Sequence, residues 1–183
     1  PNGISWTQRF SGTSNSFDDV AYGNGIFIIP EYLLLEATFS FGIITSYDGV
    51  SWNRRPSESI SAITYGNGIF VGVGGGGTIL TSSDGISWTQ RSSGTSNSLL
   101  QVTYGNGTFV AEGYNGTFEV ILTSADGVIW TQAPLSISSK FFDITYGNNT
   151  FVAVGEAGII YTSSDGISWT QRSSGTSNHL HGV

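Results

Sequence analysis

The hydrophobic positions of this chain come in short runs separated by glycine-rich polar turns. Runs such as Ile69–Val73 and Ile79–Thr81 are too short for most helices and are rich in β-branched residues, which favour strands. Gly-Asn-Gly stands between many of the runs, as at 66–68. Asn-Gly between apolar runs is the strongest short signal for a hairpin. The pattern therefore predicts an all-β protein built from antiparallel hairpins.

The hairpins recur with a period of about forty residues. Tyr-Gly-Asn begins at Tyr22, Tyr65, Tyr104 and Tyr146, at intervals of 43, 39 and 42 residues. Each unit reads as four strands, A to D, with Gly-Asn-Gly between A and B and a Ser-x-Asp-Gly tetrad between C and D. Four-stranded units arranged around an axis are the blades of a β-propeller. A stacked solenoid is the competing architecture, but its coils have shorter periods and fewer antiparallel hairpins.

We therefore predict a single β-propeller domain over residues 1–183, with four complete four-stranded antiparallel blades. The blade units cover about 18–57, 58–97, 98–139 and 140–178. A fifth blade is split between the ends, because 1–10 match a D strand and 179–183 match the start of an A strand. Unpaired strand edges associate, so we expect a homo-oligomer or a segment of a longer propeller.

A motif of the type TSSDGISWTQ recurs at the corner between strands C and D. Its Asp accepts hydrogen bonds from the backbone of the turn, its Gly supplies a positive φ, and its Trp can cover the gap between neighbouring sheets. The acids and tryptophans of the complete copies are Asp48, Trp52, Asp84, Trp88, Asp126, Trp130, Asp165 and Trp169.

This motif resembles the Asp-box (BNR-type) repeat of sialidase-like and Ycf48-like propellers. That repeat reads S-x-D-x-G-x-T-W, whereas this chain has S-x-D-G-x-S-W, which is one residue shorter between Asp and Trp. The resemblance implies that the motif lies on the outer rim, away from the ligand face. It also implies a structural role for Ser82, Asp84, Gly85 and Trp88 and for their equivalents.

The connection between strands B and C is the irregular part of the repeat. From the Phe of strand B to the Thr that opens the motif there are 18, 11, 14 and 11 residues in the four units. Function on a repeat scaffold is usually carried by such variable loops. The B–C and D–A loops are therefore the predicted binding face, with these candidate ligand-binding residues in the first and third insertions: Tyr32, Glu36, Tyr114 and Glu119.

Polar residues also recur just before the last apolar residue of strand A. Asp19, Gln101 and Asp143 hold this position in the first, third and fourth units. Because the innermost strands of a propeller line its channel, these side chains should converge near the channel mouth. They either hold channel water or bind a sugar or a cation.

Charge and composition exclude several partners. The net charge is −7 with only 6 Lys and Arg residues, which disfavours nucleic acid and anionic membrane surfaces. No apolar run approaches the length needed to span a bilayer. There is no cysteine, so disulfides and thiolate metal sites do not arise. No cofactor and no metal site is predicted, and the composition is compatible with a secreted or cell-surface bacterial protein.

Three functions fit these features. The first is a non-enzymatic binding or scaffold propeller, with lectin-like carbohydrate recognition or a protein partner on the B–C and D–A loops. The second is a structural, self-assembling repeat protein, duplicated or engineered, because Ser-Ser-Gly-Thr-Ser-Asn occurs unchanged at 92–97 and 173–178.

The third function is a sialidase-like glycoside hydrolase. The resemblance to sialidases implies three arginines that clamp a carboxylate, together with a Tyr/Glu pair and an acid. Arg9, Arg91 and Arg172 are repeat equivalents at the ends of D strands, which places them on the outermost strand and away from the channel. We therefore predict that the chain is not an enzyme, and we assign no catalytic residue.

Overall fold

The chain folds into four antiparallel sheets of four strands each. The structure is a computed structural model that describes residues 6–35, 38–57, 59–135 and 137–183, with the backbone alone for 33–35 and 38–40. In every sheet the strands lie side by side in their order along the chain. This arrangement confirms the predicted all-β propeller with four complete blades.

The strands of each blade follow one another without crossovers. The first blade contains β1 (Ala21–Gly23), β2 (Ile26–Leu35), β3 (Thr38–Ser46) and β4 (Asn53–Pro56). The second blade contains β5 (Ala62–Gly66), β6 (Ile69–Val73), β7 (Ile79–Ser82) and β8 (Thr89–Arg91). The third blade contains β9 (Ser98–Gly105), β10 (Thr108–Tyr114), β11 (Glu119–Ser124) and β12 (Thr131–Gln132). The fourth blade contains β13 (Phe141–Gly147), β14 (Thr150–Gly155), β15 (Ile160–Ser163) and β16 (Thr170–Arg172).

The turns between the first two strands of each blade have the backbone that their sequence predicts. In the first blade Asn24 has φ 48° and Gly25 has φ 80°. The fourth blade uses Asn148 and Asn149 instead, with φ 47° and 57°. Asn is the residue other than Gly that most readily adopts this left-handed conformation, so the hairpin closes in the same way.

The B–C insertions differ in structure. In the first blade the added residues lengthen the hairpin, because β2 and β3 stay in register from Phe27 opposite Ser46 to Leu35 opposite Thr38. In the third blade a tight turn at Asn115 joins the strands, and its side-chain oxygen accepts the N–H groups of Thr117 and Phe118 at 2.8 Å. The second and fourth blades have single 3₁₀ turns there, at Gly75–Gly77 and Glu156–Gly158.

The hydrophobic core lies between the blades. Three clusters of buried residues each combine side chains from two neighbouring blades, and the first strands of neighbouring blades also contact one another. The Phe of the second strand lies at the centre: Phe70, Phe109 and Phe151 are fully buried. Neighbouring blades therefore bury each other's apolar faces, as the repeat predicts.

The described residues at the two ends of the chain add no strand to the four sheets. Residues 6–10 form no strand, and Trp6 is 88% exposed. Residues 179–183 also form no strand, but the N–H of Leu180 donates to the carbonyl of Gly155 at 3.0 Å. Among the described residues, no helix is long and apolar enough to cross a membrane.

Candidate functional site

The C–D corners form a closed hydrogen-bond network in all four blades. In the second blade Oδ1 of Asp84 accepts the hydroxyl of Ser82 at 3.0 Å and the N–H groups of Ile86 and Ser87 at 2.8 Å. The Ser82 hydroxyl oxygen accepts the N–H of Gly85 at 2.8 Å. The backbone N–H groups of Ser87 and Ile86 stabilise the carboxylate and lower the pKa of Asp84 to about 2.

The tryptophans of the motif also contact their own blades. Trp88 is half-buried, and its ring centroid lies 6.5 Å from that of Phe70. The indole N–H groups of Trp130 and Trp169 donate to the carbonyls of Gly127 and Gly166 at 2.9 Å. These contacts hold the corner and the outer strand together.

The structure places the channel acids on the junctions between blades. Oδ1 of Asp19 accepts the N–H of Val20 and Oδ2 accepts the N–H of Ile63 in the next blade, both at 2.7 Å. Asp143 is arranged in the same way, with Ile144 at 2.9 Å and Val183 at 2.8 Å.

The Asp143 carboxylate also affects Asp19. Burial raises the pKa of Asp19 above its ordinary value, and repulsion by Asp143 adds to this rise. Gln101 is half-buried on β9. The three residues therefore lie on the innermost strands or directly before them, and both acids bind backbone N–H groups there.

A pocket of about 300 Å³ opens between the first and second blades, and we name it the first slot. It is lined by Asp18, Pro30, Tyr32, Phe41, Ser59, Ile60 and Ser61. Ile60 is buried and forms the floor, whereas Tyr32 is 44% exposed. The lining comes from the long first hairpin and from the segments that lead into β1 and β5, so the slot lies on the B–C and D–A side.

An ion pair anchors the long hairpin that carries this slot. Arg54 on β4 pairs with the buried carboxylate of Glu31 on β2. The other carboxylate oxygen of Glu31 accepts the amide of Asn15 at 2.9 Å. Because Glu31 directly precedes Tyr32, these contacts fix the backbone from which the Tyr32 ring projects.

The equivalent place between the third and fourth blades is filled by acids, and we name it the second slot. Counting from the Phe of strand B, Glu112 matches Pro30 and Tyr114 matches Tyr32; counting back from the motif, Glu119 matches Phe41. Tyr114 is half-buried and lies opposite Glu119 in the sheet. The same position in the fold is thus apolar in one slot and acidic in the other.

The two glutamates of the second slot are buried side by side. Glu112 is 0% exposed and Glu119 is 2% exposed. Oε2 of Glu119 accepts the N–H of Phe141 in the fourth blade at 3.3 Å. Burial raises the pKa of Glu119 to about 7, and burial together with the hydrogen bond to Glu119 raises the pKa of Glu112 well above its ordinary value. Both carboxyl groups therefore hold their protons more tightly than an exposed glutamate does.

The remaining predictions for site residues have simple outcomes. Glu36 lies outside the described residues. Arg91 and Arg172 donate from Nε to the hydroxyls of Thr81 and Thr162 at 2.9 Å, and both lie on the outermost strand of their blades. Within the described ranges, no group of three or more His, Asp or Glu residues could hold a metal ion.

Reasoning from the sequence missed Asp18, Phe41, Ser59 and Ser61. Three of these are single polar residues in connecting segments and belong to no repeat position that stands out. Phe41 could have been found, because it replaces the Gly or Glu that the other units place four residues before the Thr of the motif. Such a change from the repeat is a usable signal.

Comparisons with known proteins place the fold. No family model and no curated protein matches the chain. Among solved structures, YCF48 bound to D1 peptide is similar with a TM-score of 0.60 and 17% identity, covering 90% of this chain and 55% of that one. YCF48 from Cyanidioschyzon merolae has a TM-score of 0.53 and 25% identity, covering 64% of this chain and 38% of that one.

A glycosyl hydrolase from Bacteroides ovatus is also similar, with a TM-score of 0.51 and 15% identity over 86% of this chain and 71% of that one. The chain spans only about 38% and 55% of the length of the two YCF48 structures. These similarities show that the chain shares the β-propeller fold with YCF48 and with this glycosyl hydrolase.

Proposed function

We propose that this chain is a non-enzymatic binding propeller that recognises a carbohydrate through the first slot. One observation carries the proposal: two aromatic residues, Tyr32 and Phe41, line one pocket together with the polar residues Asp18, Ser59 and Ser61. Sugars present a C–H face that packs on aromatic rings and hydroxyls that bond to carboxylate and hydroxyl oxygens. The lining of the first slot offers both kinds of contact.

The size of the first slot limits the ligand. Its volume of about 300 Å³ lies at the lower end of the usual range for ligand pockets, roughly 300–1,000 Å³. A single sugar ring or the end of an oligosaccharide fits this size. The second slot keeps a tyrosine, Tyr114, but has the buried acids Glu112 and Glu119 where the first slot has Pro30 and Phe41, so we propose one main site per chain.

The positions of the arginines support binding without catalysis. A sialidase-like hydrolase needs arginines from several blades that converge on one carboxylate, whereas Arg91 and Arg172 lie on outer strands and donate to their own blades. The acids of the second slot are buried between blades. Turnover of chromogenic glycosides, including a sialoside, by the purified chain would contradict this part of the proposal.

A protein ligand is the other occupant to test. One similar structure is of YCF48 bound to D1 peptide. A peptide with an aromatic or aliphatic side chain could also use the rings of the first slot. The experiment must therefore compare sugars with peptides at the same residues.

The test is a glycan array followed by titration calorimetry with the best-bound glycan. We expect Tyr32→Ala and Phe41→Ala to weaken binding at least about tenfold, which corresponds to about 1.4 kcal/mol. Phe41→Glu copies the residue of the second slot and should abolish binding. Tyr47→Ala is the matched control, since Tyr47 is 65% exposed at the C–D corner of the same blade.

The outcomes separate the alternatives. Binding that is lost in the two slot variants and kept in Tyr47→Ala supports the proposal. If no glycan binds but a peptide does, and Phe41→Glu abolishes that binding, the site is right and the ligand class is wrong. If Tyr32→Ala and Phe41→Ala bind as the parent chain does, the slot is not the site.

A scaffold role is the second candidate, and we propose that it coexists with binding. The observation that favours it is that both outer blades have a face without a neighbouring blade. Tyr22 of the first blade is 59% exposed, and no atom of the described residues lies within 4 Å of the position that a Cβ on Gly147 of the fourth blade would occupy. Multiple copies would present several first slots at once, which raises avidity for a repeated ligand.

A further inference from the structure

The three internal junctions between blades are built from the same contacts. At each junction the Gly of Tyr-Gly-Asn lies directly under the Tyr ring of the next blade. A Cβ on Gly23, Gly66 or Gly105 would lie 2.0–2.1 Å from Cγ of Tyr65, Tyr104 or Tyr146, respectively. Only a glycine allows this approach, so the Gly and the next Tyr fit as a pair.

A hydrogen bond accompanies this contact at every internal junction. The side-chain amide of Asn24 donates to the carbonyl of Ser83 at 3.1 Å. Asn67 and Asn106 make the equivalent bonds to Ala125 at 3.5 Å and Ser164 at 3.3 Å. Each bond joins the A–B turn of one blade to the C–D corner of the next.

The glycine of each corner covers a residue of the preceding blade. A Cβ on Gly85 would lie 2.7 Å from Ile28, and a Cβ on Gly166 would lie 2.6 Å from Val110. Ile28 and Val110, on the second strands of their blades, are 0% exposed. A complete junction therefore buries one aliphatic residue under one corner.

The first blade has the groups that the second member of a junction supplies, namely the Tyr ring, the corner carbonyl and the corner glycine. Within the described residues no preceding blade contacts them, and we name this surface the leading face. Its Tyr22 ring is 59% exposed, whereas Tyr65, Tyr104 and Tyr146 are half-buried. Among the described residues, a Cβ on its corner glycine, Gly49, would come within 4 Å of Phe27 alone, a residue of the same blade, at 3.9 Å.

The fourth blade has the other half, and we name this the trailing face. Space is open above Gly147, and within the described residues the Asn148 amide has no corner carbonyl to bind. Val152, which matches Ile28 and Val110, is half-buried instead of fully buried. The trailing face therefore supplies the glycine, the Asn amide and the aliphatic residue that the leading face would need to form a complete junction.

We propose that the trailing face of one chain binds the leading face of a second copy, so that two copies close into one eight-bladed ring. This rests on the scaffold role proposed above. Tyr22 would lie on Gly147, the amide of Asn148 would donate to the carbonyl of Tyr47, and the corner at Gly49 would cover Val152. A head-to-tail contact of this kind forms a ring when the rotation closes.

The number of blades selects two copies. Propellers typically have four to eight blades. Each chain contributes four blades, so two copies reach the upper end of this range and three copies exceed it.

A segment of the chain competes with the second copy for the trailing face. Val183 donates to Asp143 as Ile63 does to Asp19, and Leu180 donates to Gly155 as Leu99 does to Gly74. Residues 179–183 thus occupy the place that residues 16–20 of the second copy would take. Docking requires this segment to leave, so its removal should strengthen assembly.

Sedimentation velocity and light scattering of the full chain test the proposal at about 100 µM, where mass action favours assembly. We expect a species of twice the 19.4 kDa chain mass. Gly147→Leu places a side chain into open space, so the fold should persist while Tyr22 of the second copy is blocked. This variant should sediment as a single chain with an unchanged circular dichroism spectrum.

Gln90→Leu is the matched control, since Gln90 is exposed on β8 away from both faces. It should assemble as the parent chain does. Removal of residues 179–183 should lower the dimer dissociation constant at least tenfold. The proposal is overturned if the parent chain is a single-chain species, if Gly147→Leu still pairs, if the truncated chain pairs more weakly, or if species larger than two copies dominate.

These outcomes are separable from the binding role. Gly147→Leu lies on the fourth blade, whereas the first slot lies between the first and second blades. If Gly147→Leu abolishes pairing and leaves the glycan affinity unchanged, pairing is separate from glycan binding. If Tyr32→Ala abolishes glycan binding and leaves the sedimentation unchanged, the pairing proposal stands although the glycan site is lost.

Discussion

The C–D corners and the B–C sides of the blades carry acidic residues under opposite electrostatic conditions. At the corners, Asp48 and Asp84 are exposed and receive backbone N–H groups, which lower the pKa of each to about 2. On the B–C side, Glu112 and Glu119 are buried against each other, and their pKa values rise, that of Glu119 to about 7. Hydrogen bonding dominates the pKa shifts at the C–D corners, and desolvation dominates them on the B–C side.

The difference shows which parts of the repeat carry the fold. The corner network is the same in every blade, and its acids use their oxygens inside the turn. The B–C side differs from blade to blade: both slots have a tyrosine, but Phe41 and Pro30 of the first slot are replaced by Glu119 and Glu112 in the second. Repetition therefore marks structure here, and irregularity marks the candidate site.

The largest expected effect is at a corner tryptophan. Trp88→Ala should lower the free energy of unfolding by about 3 kcal/mol, near the lower end for such substitutions because Trp88 is half-buried. Denaturant unfolding measures the loss. Trp6→Ala is the control, because Trp6 holds the same position in the N-terminal copy of the motif. Since Trp6 is 88% exposed, its replacement should have little effect. Equal losses in both variants would contradict a structural role for the complete corners.

The corner glycine should show two separable costs. Gly85 has φ 72°, and a Cβ there would lie 2.7 Å from Ile28, whereas Gly25 has φ 80° with nothing within 4 Å. Both Gly→Ala changes cost roughly 1–2 kcal/mol of backbone strain, and Gly85→Ala adds about 1 kcal/mol of overpacking, the lower end of the usual range because the nearest atom is the terminal methyl of Ile28. Thermal and denaturant unfolding of the pair measures the difference. A loss at Gly25 as large as that at Gly85 would contradict the packed junction.

The buried glutamates should make stability depend on pH above pH 5. Because the pKa of Glu119 is raised to about 7, the folded chain holds this proton more tightly than the unfolded chain. The stabilisation is complete below the ordinary glutamate pKa of 4.5 and is lost as the pH rises through about 7. We expect a loss of about 2 kcal/mol between pH 5 and pH 8, measured by denaturant unfolding.

Two variants sharpen this pH test. Glu112→Gln with Glu119→Gln removes both ionisations, so the loss between pH 5 and pH 8 should disappear. Glu156→Gln removes a half-buried acid of the fourth blade whose charge adds to the rise in the pKa of Glu119, so it should shift the loss to slightly lower pH without abolishing it. If the double variant keeps the full pH dependence, another group is responsible.

The corner acids should show the smallest effect, with the opposite sign. Since the pKa of Asp84 is lowered to about 2, its stabilisation is present above the ordinary value of 3.8 and is lost as the pH falls through about 2. Asp84→Asn should therefore lower the melting temperature slightly at pH 6 and have less effect at pH 2. A larger effect at pH 2 than at pH 6 would contradict the assignment.

Much of the fold could be predicted because its signals are local. Asn24-Gly25 has the backbone that its type I′ turn requires, and the Ser82–Asp84 turn closes on itself. Such signals involve residues a few positions apart. Repetition then gives the same prediction four times, so the blade count also follows.

The candidate site was less predictable because its residues meet only through the tertiary structure. Tyr32 was singled out, but Phe41 and Ser59 reach it across a hairpin and across a blade junction. Sequence reasoning also treated the first insertion as a connection, whereas Leu35 pairs with Thr38 at the end of a continuous hairpin. The length of an insertion does not reveal whether it continues a sheet.

The acids of the channel illustrate the same limit. Asp19 and Asp143 were expected at the channel mouth from their repeat position. Their bonds to Ile63 of the next blade and to Val183 of the C-terminal segment depend on how close these parts of the fold lie to each blade. No pattern within a single unit specifies that spacing.

The most direct test of the account measures glycan affinity and stability together in two variants, Trp88→Ala and Tyr32→Ala. The account predicts that Trp88→Ala lowers the melting temperature and leaves the dissociation constant of the folded protein unchanged. Tyr32→Ala should keep the melting temperature and raise the dissociation constant at least about tenfold. The reverse pattern, with affinity lost in Trp88→Ala and kept in Tyr32→Ala, would contradict the division between structural corners and a binding slot.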